Sequence, residues 1–467
     1  MKKSAFPNFT SLALFVGALL VLFALVTCGG GGGGGSSTGS STGTVNTSIS
    51  DPPTCQSTFP NVWITITRVR AHVSGSAGPN DSGWVDLVDL RNNPAQIDLM
   101  NLSQTECLLT QLGSTSGIPA GQYQQIRLLL LSNNPSGGTA LPSQNHCGNN
   151  GFNCVVTSTG TQTLQLSSEA QTGIKIPSGQ IAGGSFVVPA GRTVDLDIDF
   201  DACSSIVQQG NGQFRLKPVL HAAQVSLNNT INGKVIDSAS GAPVPGAVVF
   251  LEQTDSSGID RMVMQTLTKA DGTFIFCPVA SGSFVVVADA LVGGISYNAT
   301  ITFGVPSGTA MGSIPIVAEP GANTSPATIS GQITSTTGSA ATQADISVSA
   351  LQTANGISVT IPPLGSSVPN VTTQPGSCLQ NTDCVGYTLF VPASNPSVGT
   401  FSVNPPTGYS SPLLPPINYT VNAQAFTVPT NPNPGAPDCT PPSLAAPVTV
   451  QPGVTTNQGF NFTGCEP

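Results

Sequence analysis

Four aspartates alternate with apolar residues in one short segment: Asp195, Asp197, Asp199 and Asp201. Alternate side chains of a β-strand point to opposite faces, so the intervening apolar residues would face a core and the aspartates the other side. Ca²⁺ is bound by several carboxylate oxygens, which makes this row a candidate calcium site. Alternate residues of a strand are about 6.5–7 Å apart, however, so the four carboxylates cannot all reach one ion.

We therefore favour a solvated acidic row over a metal site. Like charges on one face repel each other, so cations on neighbouring strands would be needed to neutralise the row in part. The candidate cations, on other predicted strands of the same region, are Arg127, Arg215 and Lys217.

The cysteines point to disulfide chemistry. The chain has 11 of them, and ten remain when Cys28, at the end of the leader, is set aside. An even set in an exported chain predicts disulfides. The expected pairs are Cys147–Cys154, Cys378–Cys384, Cys439–Cys465 and Cys55–Cys107. Cys203 and Cys277 then remain, as free buried thiols or as a bridge between domains.

The segment around His146 offers a metal alternative to one of these pairs. His146, Cys147 and Cys154 could supply imidazole and thiolate ligands. Zinc sites usually combine two short ligand spacings, such as two CxxC units, and the chain contains none. We favour the disulfide, and we expect neither a metal nor another cofactor.

Residues for catalysis are few. The histidines are His72, His146 and His221, and none lies in HExxH spacing. No GxSxG elbow or phosphate-binding loop occurs. Trp63 and Trp84 are assigned to the core or its edge. We predict no catalytic residues and a protein that is not an enzyme; a hydrolase with a noncontiguous site is the remaining catalytic alternative.

The leader indicates export. Lys2 and Lys3 precede an apolar run from Leu12 to Val26, which is too short for a comfortable membrane span. The run ends at Leu25-Val26-Thr27-Cys28, which resembles the lipobox of bacterial lipoproteins. That resemblance implies cleavage after residue 27 and a lipid on Cys28, and Gly29 in place of Asp favours the outer membrane. Residues 28–51, rich in Gly, Ser and Thr, are predicted to be a disordered tether.

The bulk composition favours an all-β protein. Only 7% of the 467 residues are charged, and the formal net charge is −9. No basic stripe follows the leader, which argues against nucleic acid as a partner. Short alternating segments between Gly- and Pro-rich turns predict strands.

The first predicted domain spans residues 52–228. Its segments ITITRVRAHV, GWVDL, IPAGQYQQIRL, VDLDIDFDACSSIV and FRLKPVL occur in an order that resembles bacterial lipoproteins with domain of unknown function 4382. That family has no assigned activity, so the resemblance implies an extracytoplasmic address and a β fold.

The second predicted domain spans residues 229–320. It contains INGKV, SASGAPVPGAVVFLE and TKADGTFIFCPVASGSFVVVADA, and it resembles the carboxypeptidase regulatory-like domain. The third, residues 327–467, is interpreted as a divergent, enlarged copy. In it, Ile329–Ile333 echoes Ile231–Val235, Gly399–Val403 echoes Gly272–Phe276, and Tyr419–Ala423 echoes Phe284–Ala288. These resemblances imply a β-sandwich-type domain followed by two transthyretin/Ig-like β-sandwich domains.

These features predict a lipid-anchored extracytoplasmic protein with a structural or interaction role in the cell envelope, at the outer membrane or cell surface. The expected partners are the membrane, through the lipid, and a glycan or an envelope protein. A carbohydrate-binding surface module is the alternative, because sandwich folds of this kind serve several functions.

Overall fold

The structure is a computed structural model. The structure describes residues 41–51, 59–103, 107–166, 169–208, 212–216, 218–225, 229–255, 257–319, 325–337, 340–341, 344–364, 372–373, 383–404, 406–410, 417–427, 439, 441 and 443–465.

Residues 41–225 form the first domain. Its strands are β1 (Thr42–Ser50), β2 (Asn61–His72), β3 (Val85–Asp89), β4 (Ala95–Asp98), β5 (Thr110–Pro119), β6 (Gly121–Tyr123), β7 (Gln125–Leu130), β8 (Cys154–Thr157), β9 (Gly160–Gln165), β10 (Ile174–Ile176), β11 (Phe186–Val188), β12 (Thr193–Phe200), β13 (Ile206–Gln208), β14 (Phe214–Leu216) and β15 (Leu220–Val225). Two short helices, α1 (Leu99–Ser103) and α2 (Ala202–Ser205), and two 3₁₀ turns, Ser178–Gln180 and Ala182–Gly184, complete it.

Two sheets make up most of this domain. The small sheet has the order β15-β12-β1-β5, and the large sheet has the order β10-β7-β2-β8-β9-β14-β13, with β3 and β4 also paired to β2. Apolar side chains from both sheets share one core, among them Leu196 of β12 and Ile64 of β2. The inward row of each strand is apolar and the outward row is polar, because successive side chains alternate between faces.

One part of the predicted tether is a strand. Residues 42–50 form β1, which pairs in parallel with β12 and antiparallel with β5. Val45 and Ile49 are fully buried. The prediction of a tether up to residue 51 is therefore wrong for residues 42–50. A run of small polar residues can form the backbone hydrogen bonds of a sheet when alternate positions carry apolar or small side chains.

Residues 229–319 form the middle region. Its strands are β16 (Ile231–Asp237), β17 (Val248–Thr254), β18 (Ile259–Leu267), β19 (Thr273–Phe276), β20 (Ser283–Asp289), β21 (Leu291–Val292), β22 (Ile295–Ser296), β23 (Thr300–Pro306) and β24 (Thr309–Ile316). The order β19-β16-β24 defines the middle sheet.

Residues 325–465 form the C-terminal region. Its strands are β25 (Ala327–Thr337), β26 (Ala340–Ala341), β27 (Ala344–Ala354), β28 (Ile357–Ile361), β29 (Thr372–Thr373), β30 (Asp383–Val391), β31 (Ser397–Thr400), β32 (Ile417–Thr427), β33 (Ser443–Val450), β34 (Thr455–Asn457) and β35 (Phe460–Phe462). The C-terminal sheet consists of β26-β25-β30-β29 with β34 and β35 also paired to β25.

The middle and C-terminal regions are joined through one continuous sheet, here called the shared sheet. Over the described residues its order is β31-β23-β20-β17-β18-β28-β27-β32-β33. The junctions are parallel pairs: β18 with β28, and β23 with β31. Strand β20 is buried on both faces, since Val286 packs toward the middle sheet and Val287 toward the C-terminal sheet. A strand covered on both sides reads as a continuous apolar run, as Phe284–Ala288 does.

The internal repeat is only partly structural. Strands β16 and β25 correspond, because each carries a glycine under an aromatic ring. A Cβ on Gly233 would lie 2.8 Å from the Phe274 ring, and one on Gly331 would lie 2.9 Å from the Tyr387 ring. Tyr387 lies in β30, so β30 is the counterpart of β19. The predicted echo of Gly272–Phe276 in Gly399–Val403 is wrong, because β31 joins the shared sheet instead.

The all-β prediction is confirmed, with strands as the dominant element throughout the described chain. Disulfides Cys147–Cys154 and Cys439–Cys465 are formed, as the sequence predicts. Cys384 is disulfide-bonded, while its predicted partner Cys378 lies outside the described residues.

The preferred pairing of Cys107 with Cys55 is wrong, because Cys107 is bonded to Cys277. This bond ties the loop after α1 to the end of β19, and so links the first domain to the middle region. Cys55 and the side chain of Cys203 lie outside the described part of the structure.

Candidate functional site

The aspartate row occupies the outer face of the small sheet. Strand β12 lies between β1 and β15, so each aspartate has neighbours on both sides. Asn46 Nδ2 donates to Asp195 Oδ1 at 2.8 Å, and Ser50 Oγ donates to Asp197 Oδ2 at 2.6 Å. The polar outward residues of β1 are therefore the hydrogen-bond partners of the row.

The row is buried, which corrects the prediction of a solvated face. Asp197, Asp199 and Asp201 are 4%, 7% and 1% exposed. Gln265 of β18 donates through Nε2 to Asp201, so a strand of the middle region lies against this face. Asp51, 4% exposed, accepts a hydrogen bond from the Ala202 backbone N–H at 3.0 Å.

Burial dominates the electrostatics of this face. It raises the pKa of Asp197 to about 6, against the opposing effect of hydrogen bonds from Ser50 and Ser48. Burial, together with the nearby Asp201 and Asp197, raises the pKa of Asp199 well above its usual range. The Oδ1 atoms of Asp197 and Asp199 have no hydrogen-bond partner among the described residues. Both pKa shifts disfavour the ionised state relative to an exposed carboxyl, because a charge there would be desolvated.

His221 lies directly opposite Asp199 in the β12–β15 ladder. It is 9% exposed, and burial lowers its pKa to about 4. His72 is likewise buried, at 8% exposure. The ring of His72 is held in the 73–84 loop by the Ser74 backbone N–H and the Ser82 carbonyl.

The calcium interpretation of Asp195, Asp197, Asp199 and Asp201 finds no support in this arrangement. Over the described residues, no group of three or more His, Cys, Asp or Glu side chains is placed to hold a metal ion. Of the predicted cationic partners, Arg127 and Arg215 lie on β7 and β14 of the large sheet, whereas β12 belongs to the small sheet. Lys217 lies outside the described residues.

The large sheet carries the opposite charge on its outer face. Lys175 of β10 pairs with Arg127 of β7, and Arg127 pairs with Arg70 of β2, which forms one cross-strand cationic row. The Trp84 ring covers this row: the Arg70 Cζ lies 4.3 Å and the Arg127 Cζ 5.5 Å from the ring centre. Cations over the face of an indole are attracted by its electron density. Burial and the neighbouring Arg68 lower the pKa of Arg70 to about 10.

An open groove borders this cationic row, and we call it the outer groove. It has a volume of about 650 Å³ and is lined by residues that include Arg68, Arg91, Asn92, Leu129, Asn134 and Gln171. Arg68 forms a bidentate pair with Asp86, with N–O distances of 2.6 and 2.8 Å. Arg91 forms a similar pair with Asp89. The guanidinium groups at the groove are thus neutralised and held in fixed planes.

A disulfide-closed loop stands beside the groove. Cys147–Cys154 closes a loop that begins directly after His146, and the His146 ring stacks on Trp63 at 3.9 Å between centres. The predicted choice of a disulfide over a metal site at these residues agrees with this bond. Trp63 and Trp84 are half-buried on the outer face of the large sheet, not in the core.

Sequence reasoning missed the outer groove. Its residues come from two strands and three loops, and no spacing relates Asn92, Asn134 and Gln171. A signal for the cationic face did exist, since Arg68, Arg70 and His72 alternate along β2. Cys28, the predicted lipidation residue, lies outside the described residues. Within the described part of the chain, no helix has the length and apolar character needed to span a bilayer.

The chain is an all-β protein built from a two-sheet domain and a pair of sandwiches fused through a shared sheet. Residues 42–218 match the family model of domain of unknown function 4382, and residues 230–310 match the carboxypeptidase regulatory-like domain. These two matches confirm the order of the first two domains that the sequence resemblances predict.

No curated protein matches the chain. Among solved structures, the Bacillus anthracis TIE protein is 9% identical, with a TM-score of 0.17; the match covers 91% of this chain and half of that one. The shaft pilin SpaA of Lactobacillus rhamnosus GG is 8% identical over 60% of this chain and 98% of the pilin, with a TM-score of 0.18. The minor pilin GBS52 of Streptococcus agalactiae is 10% identical over 51% and 97%, with a TM-score of 0.16. At these TM-scores the likeness assigns no function.

Proposed function

We propose that the protein is a noncatalytic, lipid-anchored scaffold of the cell envelope that presents an interaction surface on its first domain. The observation that carries this proposal is the continuity of the three regions. Cys107–Cys277 links the first domain to the middle region, and the shared sheet runs from the middle region into the C-terminal region. Covalent and ladder connections of this kind support a stiff body rather than independently moving domains.

The anchor in this proposal is Cys28, and the tether is short. Because β1 begins at Thr42, only residues 29–41 separate the lipidated cysteine from the first strand. In this proposal the first domain is the part of the chain that follows the anchor directly. Stable attachment would need more than one acyl chain on Cys28.

Membrane fractionation tests the anchor. The wild-type protein is expected in the membrane fraction, released by detergent and not by high salt, and labelled by a radioactive or clickable fatty acid. Cys28→Ala is expected to lose the label and the detergent requirement, while Ser36→Ala in the tether serves as the matched control. An unlabelled wild-type chain, or a Cys28→Ala chain in the same detergent-released fraction, would refute the lipid anchor.

The absence of catalysis in this proposal has its own test. Panels of esterase, peptidase and glycosidase substrates are expected to give no turnover above the rate with heat-denatured protein. Turnover that follows the purified chain through two separation steps would instead support the hydrolase alternative.

A further inference from the structure

The outer groove has the chemistry of a site for an uncharged polar ligand. Its two arginines, Arg68 and Arg91, are each paired in plane with a carboxylate, Asp86 and Asp89. Asp86 also lies 4.0 Å from Arg91, so the two pairs form one balanced network at the groove. A charged ligand would have to displace these partners, whereas a neutral one could use the remaining guanidinium N–H donors.

Three amide side chains of the groove are free to bind a ligand. The side chains of Asn92, Asn134 and Gln171 are exposed and make no hydrogen bond to the part of the chain that the structure describes. Each amide offers two N–H donors and a carbonyl acceptor, which is the complement of a sugar hydroxyl that both donates and accepts. Half-buried Leu129 adds an apolar patch that suits the C–H face of a pyranose ring.

The groove wall formed by residues 132–140 is fixed at its N-terminal end. Asn133 Oδ1 accepts hydrogen bonds from the backbone N–H groups of Phe152 and Asn153, both at 2.9 Å. Asn153, fully buried, accepts from the Thr65 N–H and donates to the Leu131 carbonyl. The Cys147–Cys154 disulfide closes the loop that follows. Walls held in this way lose little conformational entropy when a ligand binds, which favours affinity.

We propose that the outer groove binds a neutral oligosaccharide. The proposal deepens the interaction role proposed above by naming the ligand class, and it does not depend on the lipid anchor. The volume of about 650 Å³ lies within the usual range of ligand sites, roughly 300–1,000 Å³. The paired charges favour a neutral glycan over a uronate- or sulfate-bearing one.

Glycan-array screening of the detergent-purified full chain, followed by calorimetry, tests the proposal. We expect binding to neutral oligosaccharides, and affinity lower by about tenfold or more in the Asn134→Ala/Gln171→Ala double variant, because each lost hydrogen bond counts for about 1 kcal/mol. Asn93→Ala is the matched control: Asn93 is exposed and adjacent to Asn92 but does not line the groove. Its affinity is expected to equal that of the wild type.

Hydrogen exchange places the bound glycan on the chain. Protection on binding is expected at residues 91–92, 132–140 and 170–171. Exclusive binding of acidic glycans or of peptides, no binding of any neutral glycan at millimolar concentration, or a double variant that binds like the wild type while keeping its melting temperature would each overturn the proposal. Fractionation of the same variants reports the anchor separately, so failure of the groove and failure of the anchor are distinguishable.

Discussion

The first domain has two polar faces, and both arise from the alternation of side chains along a strand. One face is buried, and the other borders a groove that is open to solvent. On the small sheet, the outward row of β12 carries the buried Asp197 and Asp199, whose Oδ1 atoms have no partner among the described residues, and Asp201 just after the strand accepts a hydrogen bond from Gln265 of β18. On the large sheet, the outward row carries Arg70, Arg127 and Lys175, and the Trp84 ring packs over Arg70 and Arg127. The acidic face meets the middle region at Asp201, and the basic face borders an open groove. Alternation therefore identifies which residues share a face, and the tertiary contacts decide whether that face meets water.

The largest expected effect comes from breaking the link that joins the middle region to the first domain. Cys107→Ser/Cys277→Ser removes a bond between residues 170 apart in sequence. We expect a loss of about 3–5 kcal/mol in the free energy of unfolding, because a long loop is no longer closed in the unfolded chain. Denaturant unfolding measures it.

The matched control is Cys147→Ser/Cys154→Ser, which opens a loop with a sequence separation of only 7. Its expected loss is smaller, about 2 kcal/mol. Equal losses in the two double variants would contradict the role of the long loop. If the disulfide also holds the acidic face in its buried state, the long-loop variant will show a weaker dependence of stability on pH than the control.

The second effect tests the aromatic cover of the basic face. Trp84→Ala is expected to destabilise the chain by roughly 2–3 kcal/mol, since it removes a large half-buried ring and the cation–π contacts to Arg70 and Arg127. Trp84→Phe keeps a ring over the cations but loses the hydrogen bond from Nε1 to the Gly78 carbonyl at 2.8 Å. It should cost about 1 kcal/mol. A Trp84→Ala chain as stable as the wild type would show that the ring is not a structural cover.

The third effect is a dependence of stability on pH that originates in the acidic face. The folded-state pKa of Asp197, about 6, lies above its usual value, so the native state holds a proton that the unfolded chain releases. Its stabilising contribution is full below about pH 4 and is lost as the pH rises toward 6. Asp199, with its pKa raised further, extends the loss to higher pH. His221 opposes this between its ordinary pKa and about 4, because the buried ring resists protonation.

Asp197→Asn checks the sign. It is expected to raise the free energy of unfolding at pH 7.5 relative to wild type, on the order of 1–3 kcal/mol, and to flatten the profile between pH 4.5 and 7.5. Ser50→Ala, which removes a hydrogen bond to the ionised form, is expected to steepen it. Unfolding curves at four pH values give the profile. A wild-type chain whose stability rises over this whole range would contradict the assignment of protonated, buried carboxyls.

The smallest expected effect belongs to an exposed pair on the basic side. Arg91 lowers the pKa of Asp89 to about 2 through hydrogen bonds. Both side chains are well exposed, so solvent screens the interaction and Asp89→Asn should change stability by less than about 0.5 kcal/mol. A larger change at low ionic strength that vanishes in salt would indicate long-range electrostatics instead. The contrast with Asp197 separates a pKa shift caused by burial from one caused by a surface partner.

Much of the fold follows from local pattern. Period-two alternation and Gly/Pro turns predict the strands, and the family resemblances place the first two domains. The sequence spacing favours the short-range disulfide Cys147–Cys154, because closing a loop between cysteines seven residues apart costs little chain entropy. The composition of residues 42–50 misleads, since Gly, Ser and Thr suit a tether as well as an inner strand whose neighbours supply the hydrogen bonds.

The candidate site was much less accessible to sequence reasoning. The segment Asp195–Asp201 stands out in the sequence because its four aspartates alternate with apolar residues. The open groove, however, lies on the other sheet. Asn92, Asn134 and Gln171 are ordinary surface residues one by one. They line one groove only because β2, β7 and three loops pack together in the folded chain. No local sequence pattern predicts that packing.

The sequence by itself determined the all-β class, the outward and inward rows of each strand, and the short-range disulfide, because these depend on backbone geometry and on residues close together along the chain. Only the tertiary structure decided that Cys107 bonds Cys277, that β28 and β31 extend the sheet of the middle region, and that the aspartate row is buried. Those outcomes depend on which edges and faces meet across long stretches of chain. Strand edges offer the same backbone donors and acceptors whatever their sequence, so partners are selected by packing of the whole structure.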